Sequence, residues 1–567
     1  MELAQRGVLV LGMSVLTFSA GAACGPRKPT PSVGGGAPQA ALACDAQVIP
    51  PPQSQFPPGY DYPQATQPWV DQRQGDRTRL HAWCLFAGLN STAVGTTKPV
   101  WKTWGNSTQA FPLQYNPWPA STPGPSGAAL ERPAPLNAKN RSNAKVGASG
   151  EEGAINFAGP VYGVNQDIVN NPAYQGCLQK MSSPGPALYQ LKDGAQFQSN
   201  GDIMVAGVTY NQAALDAILQ RNLFDASVLN RSLPPQPGSP ATSMAPMPPE
   251  SVVLKPMLWP VAKGSYTALP IWDWDAHPPG SAADGQYAGY EMQQFWSRAV
   301  AVTDLPDPRL PPQVSFLYGV LDAAYKPLGP NTYRATPQLA PPPLQVVGVD
   351  RFYRLQFTQA ELDAMMQQSP CDRAILDASA YWAYNRAFAA GDSLVLVAMH
   401  MMTKEQDTWT FQSAWWHPDA LACKDDRFCG NRPGNLSDQT FANYMMTTTY
   451  GMTQKKGNPN YYAPPSTKGE VWPVAFNPYI ELAAAHPITT NCMNCHHRAA
   501  WPPRVELGKQ DGGRASLYLQ ASPANPNALE TFDFTNPVFS GLTMMDSMWA
   551  ISDRAGFPTS TSASTKR

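Results

Sequence analysis

Ser393-Leu394-Val395-Leu396-Val397-Ala398-Met399-His400-Met401-Met402 is followed by a polar stretch, Lys404 to Asp407, and then by Thr408-Trp409-Thr410-Phe411-Gln412-Ser413-Ala414-Trp415-Trp416. The first segment is apolar at successive positions, which suits a strand whose two faces are both covered. It is therefore expected at the centre of a sheet. The second is rich in Trp, Thr and Phe, residues that fit a pleated surface, and the short polar link makes the pair a hairpin. That hairpin sets the expected class: an α+β chain, loop-rich, with a central antiparallel sheet and peripheral helices.

Working outward, Val346 to Phe357 reads as a further strand. It stops at Thr358, which with Glu361 forms a Thr-x-x-Glu capping box, so the residues after it are expected to be helical. Ser437 to Met446 is expected as another helix, with Phe441, Tyr444 and Met445 inward. On the N-terminal side, Val252-Val253-Leu254 opens the β-rich part, which proline clusters at 305–312 and 341–343 interrupt. Asn211 to Leu223 predicts a helix capped by Asn211, with Leu215, Ile218 and Leu219 as its stripe. The first ordered element is a helix that Asp76 can cap; Leu80, Trp83, Cys84 and Ala87 recur at helical spacing, and Gly88 and Asn90 signal the stop. His81 on that helix reads as a histidine at the edge of an apolar face.

At 567 residues and 43% hydrophobic content the chain can bury a sizeable core. Sixty prolines against 14% charged residues, with 16 tryptophans, describe a loop-rich extracellular protein with proline-stiffened connections. A net charge of -1 gives no basic footprint, so nucleic acid is not an expected partner. The organisation expected is an export signal over 1–23, a flexible Pro/Gly-rich spacer over 24–65, a mixed helix and loop region over 66–250, a β-rich region over 251–476 and a C-terminal segment, 477–567, packed on the main body. The proline-dense run from Leu233 to Glu250 is the best internal boundary.

The export signal is read from Arg6, the apolar run Val8 to Phe18 and the small residues Ser19 to Ala23. Cleavage after Ala22 leaves a free periplasmic or extracellular protein; cleavage after Ala23 exposes Cys24 to lipidation and tethers it to a membrane there alone. Of nine cysteines, six (Cys44, Cys84, Cys177, Cys371, Cys423 and Cys429) remain once Cys24, Cys492 and Cys495 are assigned, which allows three disulfides. Only Cys423 with Cys429 is suggested by proximity.

Cys492-Met493-Asn494-Cys495-His496 is a CxxCH run. Two thiols at this spacing add across the two vinyl groups of one porphyrin, and the next imidazole reaches the iron, so one covalently attached haem c with His496 as proximal ligand is expected. Zinc on Cys492, Cys495, His496 and His497 is the rival, but no second knuckle of the usual spacing follows. The second axial position separates an electron carrier from a catalyst. Met545, Met544 and Met548 are its first candidates, with 544/548 or 545/548 sharing a helical face, and His486 the next. His400 reads as a satisfied core histidine and His417 as a loop residue. Asp273-Trp274-Asp275-Ala276-His277 lacks a calcium-loop glycine and reads as a solvated loop. There is no Walker A, GxGxxG, HExxH or GxSxG signature.

The CxxCH run resembles the c-type cytochromes. More loosely, His81-Ala82-Trp83 to Leu89-Asn90, Trp101-Lys102-Thr103-Trp104 and Lys404 to Phe411 are similar to large secreted monohaem proteins of the cytochrome c family. The resemblance implies export and covalent haem without naming a substrate. The function expected is an exported monohaem protein passing single electrons to a redox partner protein or a small donor or acceptor. The alternatives are a haem oxidoreductase of peroxidase or oxygenase type with an open distal site, and a module with structural haem.

Overall fold

The computed structural model describes residues 43–44, 55–113, 166–180, 189–191, 205–272, 298–306, 326–334, 345–450, 475–480, 492, 496, 499–502 and 539–557, isolated positions excepted. Residues 1–41 lie outside the described residues, and Leu42–Arg567 forms the body. The export-signal segment, Cys24, Cys495, His486 and Asp273 to His277 therefore lie outside the described residues.

The fold is α+β around a large antiparallel sheet. Its strands run Gly105–Asn106, Thr209–Tyr210, Val252–Val261, Ser393–Thr403, Thr410–Trp416 and Tyr444–Thr449 from edge to edge, with Val205–Ala206 and Arg354–Gln356 added alongside. The expected hairpin is its centre: Ala398 to Thr403 pair with Trp415 to Thr410, while Val252–Val261 holds the other side of Ser393–Thr403. All residues of Ser393–Thr403 and Thr410–Trp416 are buried, which accounts for the unbroken apolar run. At one end Met399 and Met401 belong to the larger core and Met402 to a second core on the opposite face, so the period of two puts His400 on the second face.

The helix Gly75–Asn90 is buried nearly all round from Thr78 onward, as a helix in the middle of a core should be. Asp76 lies in its first turn and Gln74 takes the cap position. Residues 55–64 cross it so closely at Gly88 that an added Cβ would come 2.9 Å from the Tyr60 Cβ and 3.1 Å from a Phe56 ring carbon. Phe56 and Asp61 are buried, and Cys44 is bonded to Cys84 within the helix, so the last part of the segment read as spacer packs on the body. The Asn211 cap and the Thr358/Glu361 capping box both form, starting the helices Gln212–Gln220 and Gln359–Gln368.

Two readings change. Val346 to Phe357 is two strands: Gln345–Gly348 pairs in parallel with Arg298–Thr303, while Arg354–Gln356 joins the main sheet. The break is a 3-10 turn, Val349–Arg351, pinned by Arg351, whose guanidinium donates to Asn443 Oδ1 at 3.0 Å and Pro418 O at 2.7 Å. Ser437 to Met446 is no helix. A 3-10 turn at Thr440–Asn443 feeds the strand Tyr444–Thr449, because pairing with Phe411 to Trp416 and a run of three threonines outweigh a weak local propensity. The Leu233 to Glu250 stretch supplies the strand Thr242–Ser243, which pairs in parallel with Thr543–Met544.

Disulfides join Cys44 to Cys84, Cys177 to Cys371 and Cys423 to Cys429. Such bonds form and persist in oxidising compartments. Among the described residues no helix is long and apolar enough to cross a membrane.

Entry into the central strand is set by Asp392, which is 1% exposed. It takes two hydrogen bonds from Arg386, at 2.6 and 2.8 Å, one each from the Lys263 and Ala389 backbone, and one from the Tyr384 hydroxyl. Burial alone would raise its pKa; the Arg386 hydrogen bonds, then the two N–H groups and the Tyr384 hydroxyl, hold it below the ordinary value. Asp392→Ala is expected to cost about 2–3 kcal/mol, less than a fully buried pair because Arg386 keeps part of its water. Since the folded pKa is depressed, this stability is present above the unfolded carboxyl value of about 4 and is lost as pH falls through the lower folded one. Acid unfolding of the wild type against Asp392→Ala checks both the size and the sign.

Candidate functional site

The C-terminal segment is built onto the second core by its backbone. Cys492 N donates to Ala475 O at 2.9 Å, Ala499 N to His496 O at 3.0 Å, and Met545 N to Ala499 O at 2.8 Å. Asn477, fully buried, donates to Ser413 Oγ and Ala414 O of the second hairpin strand and anchors the chain just before the motif. Cys492 and His496 then sit one helical turn apart, against the face that carries His400, Met402 and Phe411.

His496 is the best-defined member. Its Nδ1 donates to Ser547 O at 2.8 Å, which places the ring proton on Nδ1 and leaves the Nε2 lone pair for a metal. The ring is 5.3 Å from that of Phe411 and 5.4 Å from that of His400, nearly parallel to the latter. Burial pushes the His496 pKa down to about 4, against the pull of the Ser547 carbonyl and helped by the Lys255 charge. The imidazole is therefore neutral at neutral pH, the form that ligates.

The carbonyl that receives His496 belongs to an unusual turn. Asp546 and Ser547 have φ of +44° and +65°, two successive non-glycine residues in the left-handed region, each costing about 1–3 kcal/mol and persisting only where its surroundings impose it. Asp546 is held from both sides: its Oδ1 accepts from Lys404 Nζ at 2.8 Å and its Oδ2 from Met247 N at 2.8 Å. This turn also undoes the helical face expected for the methionines. Thr543–Met544 is a strand, the left-handed pair follows, and helix begins only at Trp549. Met545 and Met548 are buried in the core that holds Cys492, whereas Met544 packs with Phe539 and Leu542 in a separate small cluster.

His400 differs from the satisfied core histidine expected. Its Nδ1 lies 3.2 Å from Cys492 Sγ, and its buried Nε2 has no hydrogen-bond partner. Burial, followed by the neighbouring His496 and the Lys255 charge, drives its pKa well below the ordinary value. His81, in contrast, is far more engaged than an apolar-edge residue: Nδ1 is 2.7 Å from Asp61 Oδ2 and Nε2 is 2.6 Å from Glu405 Oε1, all buried. His417 Nδ1 accepts from Asp419 N at 3.1 Å and shapes the loop after the second hairpin strand.

Among the described residues, Cys44, Asp61 and Cys84 meet closely enough to suggest a metal site, but the two sulfurs are joined in a disulfide and offer no thiolate. Sequence reasoning missed Lys404, Asp546 and the Ser547 carbonyl. Lys404 to Asp407 reads as a polar turn, yet Lys404, Glu405 and Gln406 are buried. Comparison of the chain with models of known protein families, with curated proteins and with solved structures finds no match.

Proposed function

We propose that the protein carries one covalently attached haem c and passes single electrons, as an exported monohaem protein akin to the c-type cytochromes. The observation that carries this reading is the His496 Nδ1 bond to Ser547 O inside a CxxCH run, because a ring proton fixed on Nδ1 is how proteins prepare an imidazole to ligate through Nε2. Haem so bound supplies an iron that changes charge by one. The chain's own residues hold it and tune it. Cys492 and Cys495 would furnish the two thioethers, His496 would hold the iron, and Phe411, Met545 and Met548 would exclude water where they pack. Met545 would be the first candidate to hold the iron together with His496, followed by Met548, Met544 and His486. The partner is a redox protein or a small donor or acceptor, met in the periplasm or outside the cell.

A second reading has one observation in its favour. His400 is a buried neutral imidazole with a free ring nitrogen beside Cys492, and such a group can hold or move a proton next to a reacting ligand. It belongs to a haem oxidoreductase with an open iron position. Spectra of the purified ferric and ferrous protein, with and without carbon monoxide, separate the two. A low-spin spectrum indifferent to carbon monoxide is the expected result; high-spin iron that binds it readily favours the oxidoreductase. A colourless protein of unmodified mass, made in a host that attaches haem c, removes both.

A further inference from the structure

Lys404 stands where the central strand turns, and its ammonium is buried at 3% exposure. A buried ammonium is costly unless it is paired and hydrogen-bonded. The stem of Lys404 runs out of the hairpin towards the C-terminal segment, and its Nζ meets Asp546 Oδ1 at 2.8 Å. Its own backbone N–H is tied to Ser251 O at 2.9 Å, so the stem starts from a fixed point. Asp546 cannot relax away from it, since Oδ2 is taken by Met247 N. The next residue, Ser547, is left with a backbone conformation that serines rarely adopt, and that conformation turns its carbonyl onto His496 Nδ1. Every link from the hairpin tip to the imidazole is thus a short hydrogen bond or one peptide unit.

We propose that Lys404 is a positioning residue for the haem site: through Asp546 it holds the left-handed Asp546–Ser547 turn, whose carbonyl fixes the ring orientation and tautomer of His496. The proposal rests on the reading of His496 as an iron ligand. A strong hydrogen bond at Nδ1 gives the imidazole more negative character, which favours the ferric state. Loosening the turn weakens that bond, so the reduced state gains.

The experiment uses the haem-loaded full chain and compares the wild type with Lys404→Gln, Lys404→Arg and Asp546→Asn. Each is scored for haem covalently bound to the denatured protein and for its reduction potential. Partners of ligating histidines contribute 10–100-fold to metal affinity. Lys404→Gln is expected to keep its haem and to lose about tenfold in preference for the ferric state, a rise of about 59 mV for one electron. Lys404→Arg, which keeps the charge, should restore most of the difference. Asp546→Asn keeps a side chain that accepts the left-handed backbone and gives the same reading if Lys404→Gln does not fold. Potentials unchanged in both Lys404→Gln and Asp546→Asn overturn the positioning role while leaving the haem assignment intact. Absence of covalent haem in the wild type overturns the assignment itself.

Discussion

His81→Leu is expected to destabilise the protein by about 3–5 kcal/mol, the loss typical when one member of a buried charge pair is removed and the other is stranded. Here two buried carboxylates lose their shared cation. Asp61 and Glu405 flank the imidazole at 2.7 and 2.6 Å, with side chains 6% and 0% exposed. Glu405 is committed further, since Oε1 also accepts from Gln64 N at 3.0 Å and Oε2 from Thr403 Oγ1 at 2.8 Å. His81→Gln, able to donate to only one carboxylate, should fall between the wild type and the leucine variant. Denaturant midpoints of the three proteins check the order.

The same cluster sets a pH dependence. Burial alone would lower the His81 pKa, but the Glu405 charge and the hydrogen bonds the ring donates to both carboxylates raise it from 6.5 to about 10. With the folded value above the unfolded one, the stabilisation is complete below about pH 6.5. It drains away as pH rises through about 10 at roughly 1.4 kcal/mol per unit. Asp392 works in the opposite direction, losing its contribution in acid. A wild-type midpoint that held constant between pH 7 and 10 would contradict the protonated-imidazole account.

Replacing Cys492 and Cys495 together by Ala is expected to abolish covalent haem completely, since no other CxxCH run occurs in the chain. The loss should be one of chemistry and not of folding. Cys492 is buried, but alanine keeps its helical backbone, and the bonds Cys492 N to Ala475 O and Ala499 N to His496 O involve main chain only. Mass spectrometry of the denatured protein reads the attachment, and far-ultraviolet circular dichroism reads the fold. Retention of covalent haem in the double variant would show that the thioethers lie elsewhere; a collapsed spectrum would show that the sulfurs serve packing.

The central hairpin was legible because it is a local pattern. Eleven successive buried positions leave an apolar run that no half-exposed strand would need. The caps at Asn211 and Thr358 were legible for the same reason, since each is decided within three residues. Tyr444–Thr449 was misread because its partner, Phe411 to Trp416, outweighs local preference and is not visible from the segment itself. At the site, CxxCH names Cys492 and His496 from spacing alone. Lys404 and Asp546 are 142 positions apart, and His81 and Glu405 are 324 apart, so no spacing rule reaches either pair. Only a lysine and a glutamate beside a deeply apolar run hinted that this turn is not an ordinary surface one.

That turn places opposite charges side by side, Lys404 bonded to a residue near the C-terminus and Glu405 to a helix near the N-terminus. A polypeptide still being synthesised meets these two demands at different times. His81 is already made when Glu405 is added, whereas Asp546 can reach the Lys404 ammonium only after the last part of the chain has emerged. Truncation before residue 546 therefore removes the carboxylate bonded to this buried ammonium, and the two ends of the chain are bound into one act of assembly.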